Sequence, residues 1–304
     1  MSISDPQIDT SAASAKNSML SLFDMREKKP FDGLIEFIES NIALPHLPMR
    51  NLNDNVYYLN ILNDALRSSA GHSSNYVSKS ASSNSTSSKF ADQQLFKSDS
   101  RYYEQIIFKT KQVPTRSNWH DFFNGVIWCQ FPKTKQTFNA LHIAEIGLQG
   151  STKRTSVRDK LTHFDECGVV LFTTQSDVKA QMENHQWRAL FVENAGSWHQ
   201  QTLPVIFGHA LWEMLLKPFI GLTAKATVIE VTQDTLFSLQ SQLYKPEFYA
   251  QCDELLNDHI NAKQLASLKK PWLPLPLLGI PHWSPFPQTE LFYQNQQYFM
   301  PKKS

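Results

Sequence analysis

Apolar positions recur at helical spacing early in the chain, at Phe31, Leu34, Ile35 and Ile38, and predict a helix that the turn-rich stretch Leu44 to Pro48 interrupts. Between Ser68 and Lys89 the pattern vanishes. The run SSAGHSSNYVSKSASSNSTSSK holds almost no large apolar side chain and cannot recover the entropy of being ordered. From Tyr102 the pattern tightens: Ile106, Ile107 and Phe108 predict a strand that Pro114 ends. Ser117 or Asn118 is placed to cap a helix beginning at Trp119, and Pro132 stands where a second helix, Lys133 to about Ile146, would start. Val169 to Phe172 and Val228 to Val231 read as strands, Val205 to Leu216 and Asp253 to Ile260 as helices. Each proline of PWLPLPLLGIPHWSPFP fixes φ and biases the preceding residue away from helix, so this segment reads as extended, its apolar side chains laid along the body.

These elements predict an α+β fold: a helix-rich single globular domain with a small β-sheet and an extended Pro-rich C-terminal segment. The expected organisation is a disordered tail (1–17), a helical N-terminal section packed on the main body (18–66), a Ser-rich flexible insertion (67–100) and a main α+β domain (101–304). About 65 residues before the insertion make a marginal unit alone, hence the expectation that they pack onto the main domain.

With 41% hydrophobic residues, 20 Phe and 7 Trp in 304, the chain can fill a sizeable core. The 29 basic residues against 28 acidic ones give a net charge of +1 and no overall field to gather nucleic acid or anionic membrane. Three scattered cysteines, Cys129, Cys167 and Cys252, form neither a disulfide framework nor a CxxC zinc pair and fit a reducing cytoplasm. The first residues lack a basic region followed by an apolar one, so no secretory signal is expected there. The stretch Pro204 to Leu222 is long enough to suggest a membrane span, but it carries His209, Glu213 and Lys217, which argues for a buried helix and no membrane insertion.

Candidate chemistry lies in three polar stripes on otherwise apolar helices. His120, Asp121 and Asn124 share one face by their spacing, as do Asn139 and His142 on the next helix, and as do His209, Glu213 and Lys217 further on. Each stripe is either the solvent edge of its helix, with Glu213 and Lys217 an ordinary surface pair, or one wall of a shared cleft. The segment RDKLTHFDECGVVLF has two readings. In a hairpin, Asp165 opens the turn with Gly168 left-handed; in a helix ended by Gly168, Asp159, Thr162 or His163, and Glu166 share a face. The chain lacks GxSxG, GxGxxG, HExxH and a complete phosphate loop, and GSTKRTS from Gly150 reads as a solvated loop.

At the same residues the sequence resembles DUF3025, a bacterial family known only as a domain of unknown function. The resemblance rests on NWHDFFNGVIWCQFPKTKQTFNALH, on RDKLTHFDECGVV, on GHALWE followed by Pro218, and on LPLLGIPHW, and runs from about Tyr102 onward. The family pattern takes in Trp119, His120, Asp121, Asn124, Lys133, Asn139, His142, Arg158, Asp159, Asp165, Glu166, His209 and Glu213. The chain departs from it near the end, where YFMP replaces an arginine-containing ending. The resemblance implies no activity, substrate or cofactor.

The preferred expectation is an enzyme with a buried site in which His120, Asp121, Asn124, Lys133, Asn139, Arg158, Asp159 and Glu166 carry the chemistry on a small-molecule substrate. Arg158 and Lys133 are the candidates for an anionic group on it. His120, His142, His209 and Glu213 are the candidate ligands of a divalent metal, zinc, iron or manganese, which would activate water for hydrolysis. The rival expectation is a non-catalytic scaffold that meets a protein partner, with the same residues forming a structural hydrogen-bond network. Nucleic-acid binding through Lys133, Lys135, Lys153 and Arg154 ranks last.

Overall fold

The computed structural model describes residues 26–41, 59–67, 88–150, 154–264 and 268–302. The expected tail, the turn-rich Leu44 to Pro48 and the serine-rich run up to residue 87 lie outside them. The fold is α+β and helix-rich. In chain order it comprises α1 (Phe31–Asn41), α2 (59–67), β1 (Lys89–Asp92), α3 (Tyr103–Thr110), β2 (Gln112–Thr115), α4 (Trp119–Gln130), α5 (Pro132–Gln149) and α6 (Ser156–Cys167). There follow β3 (Gly168–Thr173), α7 (Val178–Glu183), β4 (Thr202–Ile206), α8 (His209–Leu215), β5 (Thr223–Glu230), α9 (Gln233–Ser241), α10 (Pro246–Lys263), β6 (Leu273–Pro276) and α11 (Glu290–Tyr293).

Four strands form the main sheet in the order β4-β3-β5-β6. β3 pairs antiparallel with β4 and parallel with β5, and β5 pairs antiparallel with β6. Central β3, GVVLFT, is buried along its whole length, which is why it reads as an unbroken apolar run without alternation. The prolines sit on the outer strands, Pro204 in β4 and Pro274 and Pro276 in β6, where a missing N–H costs no ladder bond to a further neighbour. A smaller parallel pair, β1 and β2, is bridged by α3. Asn63 of α2 clamps it, accepting from Phe90 N–H at 2.7 Å and donating to Phe90 O at 3.1 Å. Within the stretch expected to be an insertion, Lys89–Asp92 form β1 and Gln93–Phe96 a single turn of 3-10 helix.

Two predicted elements are different in the structure. Ile106, Ile107 and Phe108 belong to helix α3, and the strand is the next segment, with Pro114 inside it. Three adjacent apolar residues carry no period, and α3 buries Ile106 and Ile107 while leaving Phe108 exposed. Val205 to Leu216 is not one helix: its first two residues finish strand β4, and the helix starts at His209 after Gly208. A fully buried strand lacks the alternation that would separate it from a buried helix.

Of the two readings of RDKLTHFDECGVVLF, the helix is the observed one, ending at Cys167. Gly168 does not take the left-handed conformation; its φ is −74°. Glycine is needed there for space. A Cβ on Gly168 would stand 2.3 Å from Phe164 O, and one on Gly208 would stand 2.3 Å from Gly168 N. Gly168 O accepts the N–H groups of Phe207 at 3.0 Å and Gly208 at 2.8 Å. Two chain junctions, α6 into β3 and β4 into α8, thus touch backbone to backbone. Beneath them, Phe207 packs on Phe131, Phe138 and Phe164 with ring centroids 5.3 to 5.4 Å apart, welding α5 and α6 to the sheet.

Helix α5 has no side-chain cap of its own, since Phe131 precedes Pro132. Asp253 of α10 supplies it, accepting from Lys133 N–H at 2.7 Å and Thr134 N–H at 2.8 Å. This fixes the start of the helix that carries one wall of the cleft.

Candidate active site

A cleft of about 370 Å³ opens between α3, α4, α5, α6 and the first residue of α8. The close approach of Gly168 and Gly208 is what builds its polar end: Asp165 lies three residues before one glycine, and His209 directly follows the other. His209 Nδ1 faces Asp165 Oδ2 at 3.8 Å, beyond hydrogen-bond length. From α4, His120 meets His209 edge to face, Nε2 to Nε2 at 3.1 Å, and turns its Nδ1 toward Glu213 Oε2 at 3.5 Å. Two imidazoles thus oppose each other at the cleft, each with a carboxylate behind its Nδ1. His209 is buried and His120 and Glu213 are nearly half exposed.

Lys135 is the residue that holds this end together. It is 5% exposed, and its Nζ reaches Asp165 Oδ1 at 2.5 Å and Asn124 Oδ1 at 2.9 Å while lying over the Trp128 ring at 5.5 Å. Asn124 in turn donates to Tyr103 Oη at 3.1 Å. Asp121 closes the rim: it accepts both forks of the Arg116 guanidinium at 3.0 Å and Arg116 N–H at 2.6 Å, and its own N–H is capped by Asn118. Asn139 donates to Glu104 O at 2.8 Å, tying α5 to α3.

Burial sets the charge states. Loss of hydration pulls the His209 pKa down to about 4, a shift that Asp165 opposes and Lys135 and His120 reinforce, so this imidazole is neutral at pH 7. Burial alone would raise Asp165, but Lys135, His209 and the Lys135 hydrogen bond outweigh it and hold the carboxyl below its ordinary value. Burial also lowers His142, against the attraction of Glu104 and Asp165.

The sequence-derived residues divide. His120, Asp121, Asn124, Asn139, His142, Glu166 and His209 all line the cleft. Lys133 does not: it pairs with Glu254 at 3.4 Å on the α10 side, and Lys135, two residues on, takes the inward position. Asp159 pairs with Arg154 at 3.0 Å instead of facing the cleft, and Glu213 stands behind His120. Of the four proposed metal ligands, His120 and His209 meet and His142 lies further along the same cleft. Among the described residues no three His, Cys, Asp or Glu side chains are placed to share one metal ion. Arg116 and Tyr103 are not evident from the sequence; neither sits in a polar stripe with a period to reveal it.

The chain matches the family model described as a protein of unknown function, DUF3025, over residues 88–303, and it belongs to that family. Every cleft-lining residue falls within the matched region. No curated protein and no solved structure matches the chain. Among the described residues no helix is long and apolar enough to cross a membrane.

Proposed function

We propose that the cleft is the active site of an enzyme that hydrolyses a small anionic molecule, with His120 and His209 as its acid and base. The observation that carries this reading is the 3.1 Å approach of the two Nε2 atoms at the cleft. A contact of that length needs one donor and one acceptor. Neutral His209, with its proton on Nδ1 toward Asp165, offers a lone pair at Nε2; His120, with Glu213 at its Nδ1, supplies the proton. With water and substrate entering between the rings and opening this contact, the freed His209 lone pair takes a proton from water and His120 gives its proton to the leaving group. Lys135 keeps Asp165 ionised and in place, a positioning role.

A metal-dependent version has one observation in its favour. Carboxylates behind both Nδ1 atoms are the usual outer partners of metal-bound histidines. A catalytic zinc takes three protein ligands, however, and the described residues supply no such trio, so the metal-free version is preferred.

The test is a hydrolase screen on phosphoesters and carboxylate esters with the wild type, His120→Ala and His209→Ala, alongside elemental analysis of protein purified without chelator or affinity metal. Loss of roughly 10² to 10⁴-fold in rate with the fold retained is the expected result. Variants that keep full activity, or that lose only stability, would overturn the assignment and favour a scaffold. Near-stoichiometric metal lost in both variants would replace the metal-free version with the metal one.

A further inference from the structure

We infer that the far end of the cleft is an oxyanion-binding subsite built by Arg158 and His142 with Arg154, and that it holds the phosphate or carboxylate of the substrate about 10 Å from the reacting bond. This rests on the proposed catalytic role of the histidine pair for its distance and on separate observations for its chemistry.

Helices α5 and α6 run antiparallel, and contacts at both ends fix their register: Lys135 Nζ with Asp165 at 2.5 Å, and Thr155 Oγ1 with Glu145 Oε2 at 2.6 Å. Between these contacts His142 falls opposite Arg158. On α6, Arg158, Thr162 and Asp165 share a stripe at spacings of four and three, and on α5 so do Lys135, Asn139 and His142. All but Arg158 line the cleft, and Arg158 continues the stripe one turn beyond Thr162. The seven residues from Lys135 to His142 span about 10 Å along the helix.

At this end two buried side chains, Arg158 and His142, each have a nitrogen without a hydrogen-bond partner. Arg158 is 4% exposed, its Nε has no hydrogen-bond partner, and among the described residues no carboxylate reaches salt-bridge distance of it. Its one neighbour of note is the Tyr102 ring, 5.6 Å away. His142 is 5% exposed and its Nδ1 is likewise unpartnered. Arg154 is anchored at the mouth by Asp159 and the Thr162 hydroxyl. Glu104, Glu145 and Asp159 are acidic side chains at this end; Asp159 pairs with Arg154, Glu145 accepts from the Thr155 hydroxyl, and none of the three forms an ion pair with Arg158 among the described residues. An ionised guanidinium buried without a counter-charge is costly, and an arriving oxyanion would satisfy its fork and the imidazole together.

The experiment is calorimetric titration of inorganic phosphate, and separately of acetate, into the wild type, Arg158→Met, Arg158→Lys and His120→Ala, with thermal unfolding of each. Saturable binding of one probe to the wild type is expected, weakened tenfold or more in Arg158→Met, partly restored in Arg158→Lys and unchanged in His120→Ala. Which probe binds tells a phosphate substrate from a carboxylate one. Arg158→Met should unfold no earlier than the wild type, since it removes a charge that has no partner. Binding of neither probe, or equal binding by Arg158→Met, would overturn the subsite. The subsite stands if His120→Ala binds the probe yet the histidine pair proves inactive, so the two assignments fail separately.

Discussion

Replacing Lys135 by Met keeps most of the side-chain volume and removes the ammonium paired with Asp165. The ammonium makes two charge-assisted contacts, to Asp165 at 2.5 Å and Asn124 at 2.9 Å, from a position 5% exposed. Breaking a fully buried pair by removing one partner costs about 3–5 kcal/mol. Asp165 is a quarter exposed, so water takes up part of the loss and about 2–4 kcal/mol is expected at pH 7. The pH dependence follows from the Asp165 pKa, which is depressed in the folded state. Its contribution is present above the unfolded value, near 4, and is lost as pH falls through the folded one. The gap between wild type and Lys135→Met should therefore be widest near neutrality and narrow below about pH 4. Urea unfolding followed by tryptophan fluorescence at a series of pH values measures it. A difference under about 0.5 kcal/mol at pH 7, or one independent of pH, would refute the argument that Lys135 compensates Asp165.

Two further outcomes are expected. Gly208→Ala, whose Cβ would lie 2.3 Å from Gly168 N, should cost about 1–3 kcal/mol or more, whereas Gly147→Ala, with nothing within 4 Å, should be neutral or mildly stabilising; equal stability of the two variants would contradict the close-approach argument. The His209 imidazole should stay neutral until pH falls to about 4, as read by NMR titration. Because that value is lowered from about 6.5, the unfolded chain takes up a proton first, and stability should fall by on the order of 3 kcal/mol between pH 6.5 and 4. A His209 titration near 6.5 would refute its burial as a neutral base.

The α+β class, the helix starts at Trp119 and Pro132 and the central strand were legible because each has a local cause: a capping Asn118, a proline in the first turn, a short unbroken apolar run beginning with two valines. The stripes His120 with Asn124 and Asn139 with His142 were legible from spacing for the same reason. Lys135 sits on the second stripe at the same period, yet the sequence points no more to it than to Lys133, because nothing local distinguishes a lysine that will be buried from one that will be solvated. The inward one is chosen by Asp165 on the neighbouring helix. The meeting of Asp165 with His209 was beyond local pattern altogether. It depends on Gly168 lying against Gly208, forty residues away, and glycine in a sequence announces permissive φ more readily than it announces lack of room.

The cleft separates into a satisfied half and an unsatisfied one, and that division bears on the choice between enzyme and scaffold. Lys135, Asp165, Asn124, Tyr103, Asp121 and Arg116 are hydrogen-bonded within the group, as a structural network must be if it is not to cost stability. His209 Nδ1, His142 Nδ1 and Arg158 Nε, all on the same cleft or its continuing stripe, have no hydrogen-bond partner. Buried atoms without hydrogen-bond partners also occur elsewhere, at the neutral Gln130 amide and Trp212 indole and at one oxygen of Asp32, but the Asp32 carboxylate has a counter-charge in Lys29 at 3.7 Å. A scaffold has no use for a buried arginine left without a counter-charge; replacing it by an apolar residue would stabilise the fold. A site that must receive an anion does have such a use, because a guanidinium already neutralised by a carboxylate would have to give that partner up before it could bind. The network of Lys135 and Asp165 then reads as the frame, with His209 Nδ1 turned toward it, and the unpartnered nitrogens of His142 and Arg158 as the surface kept open for substrate.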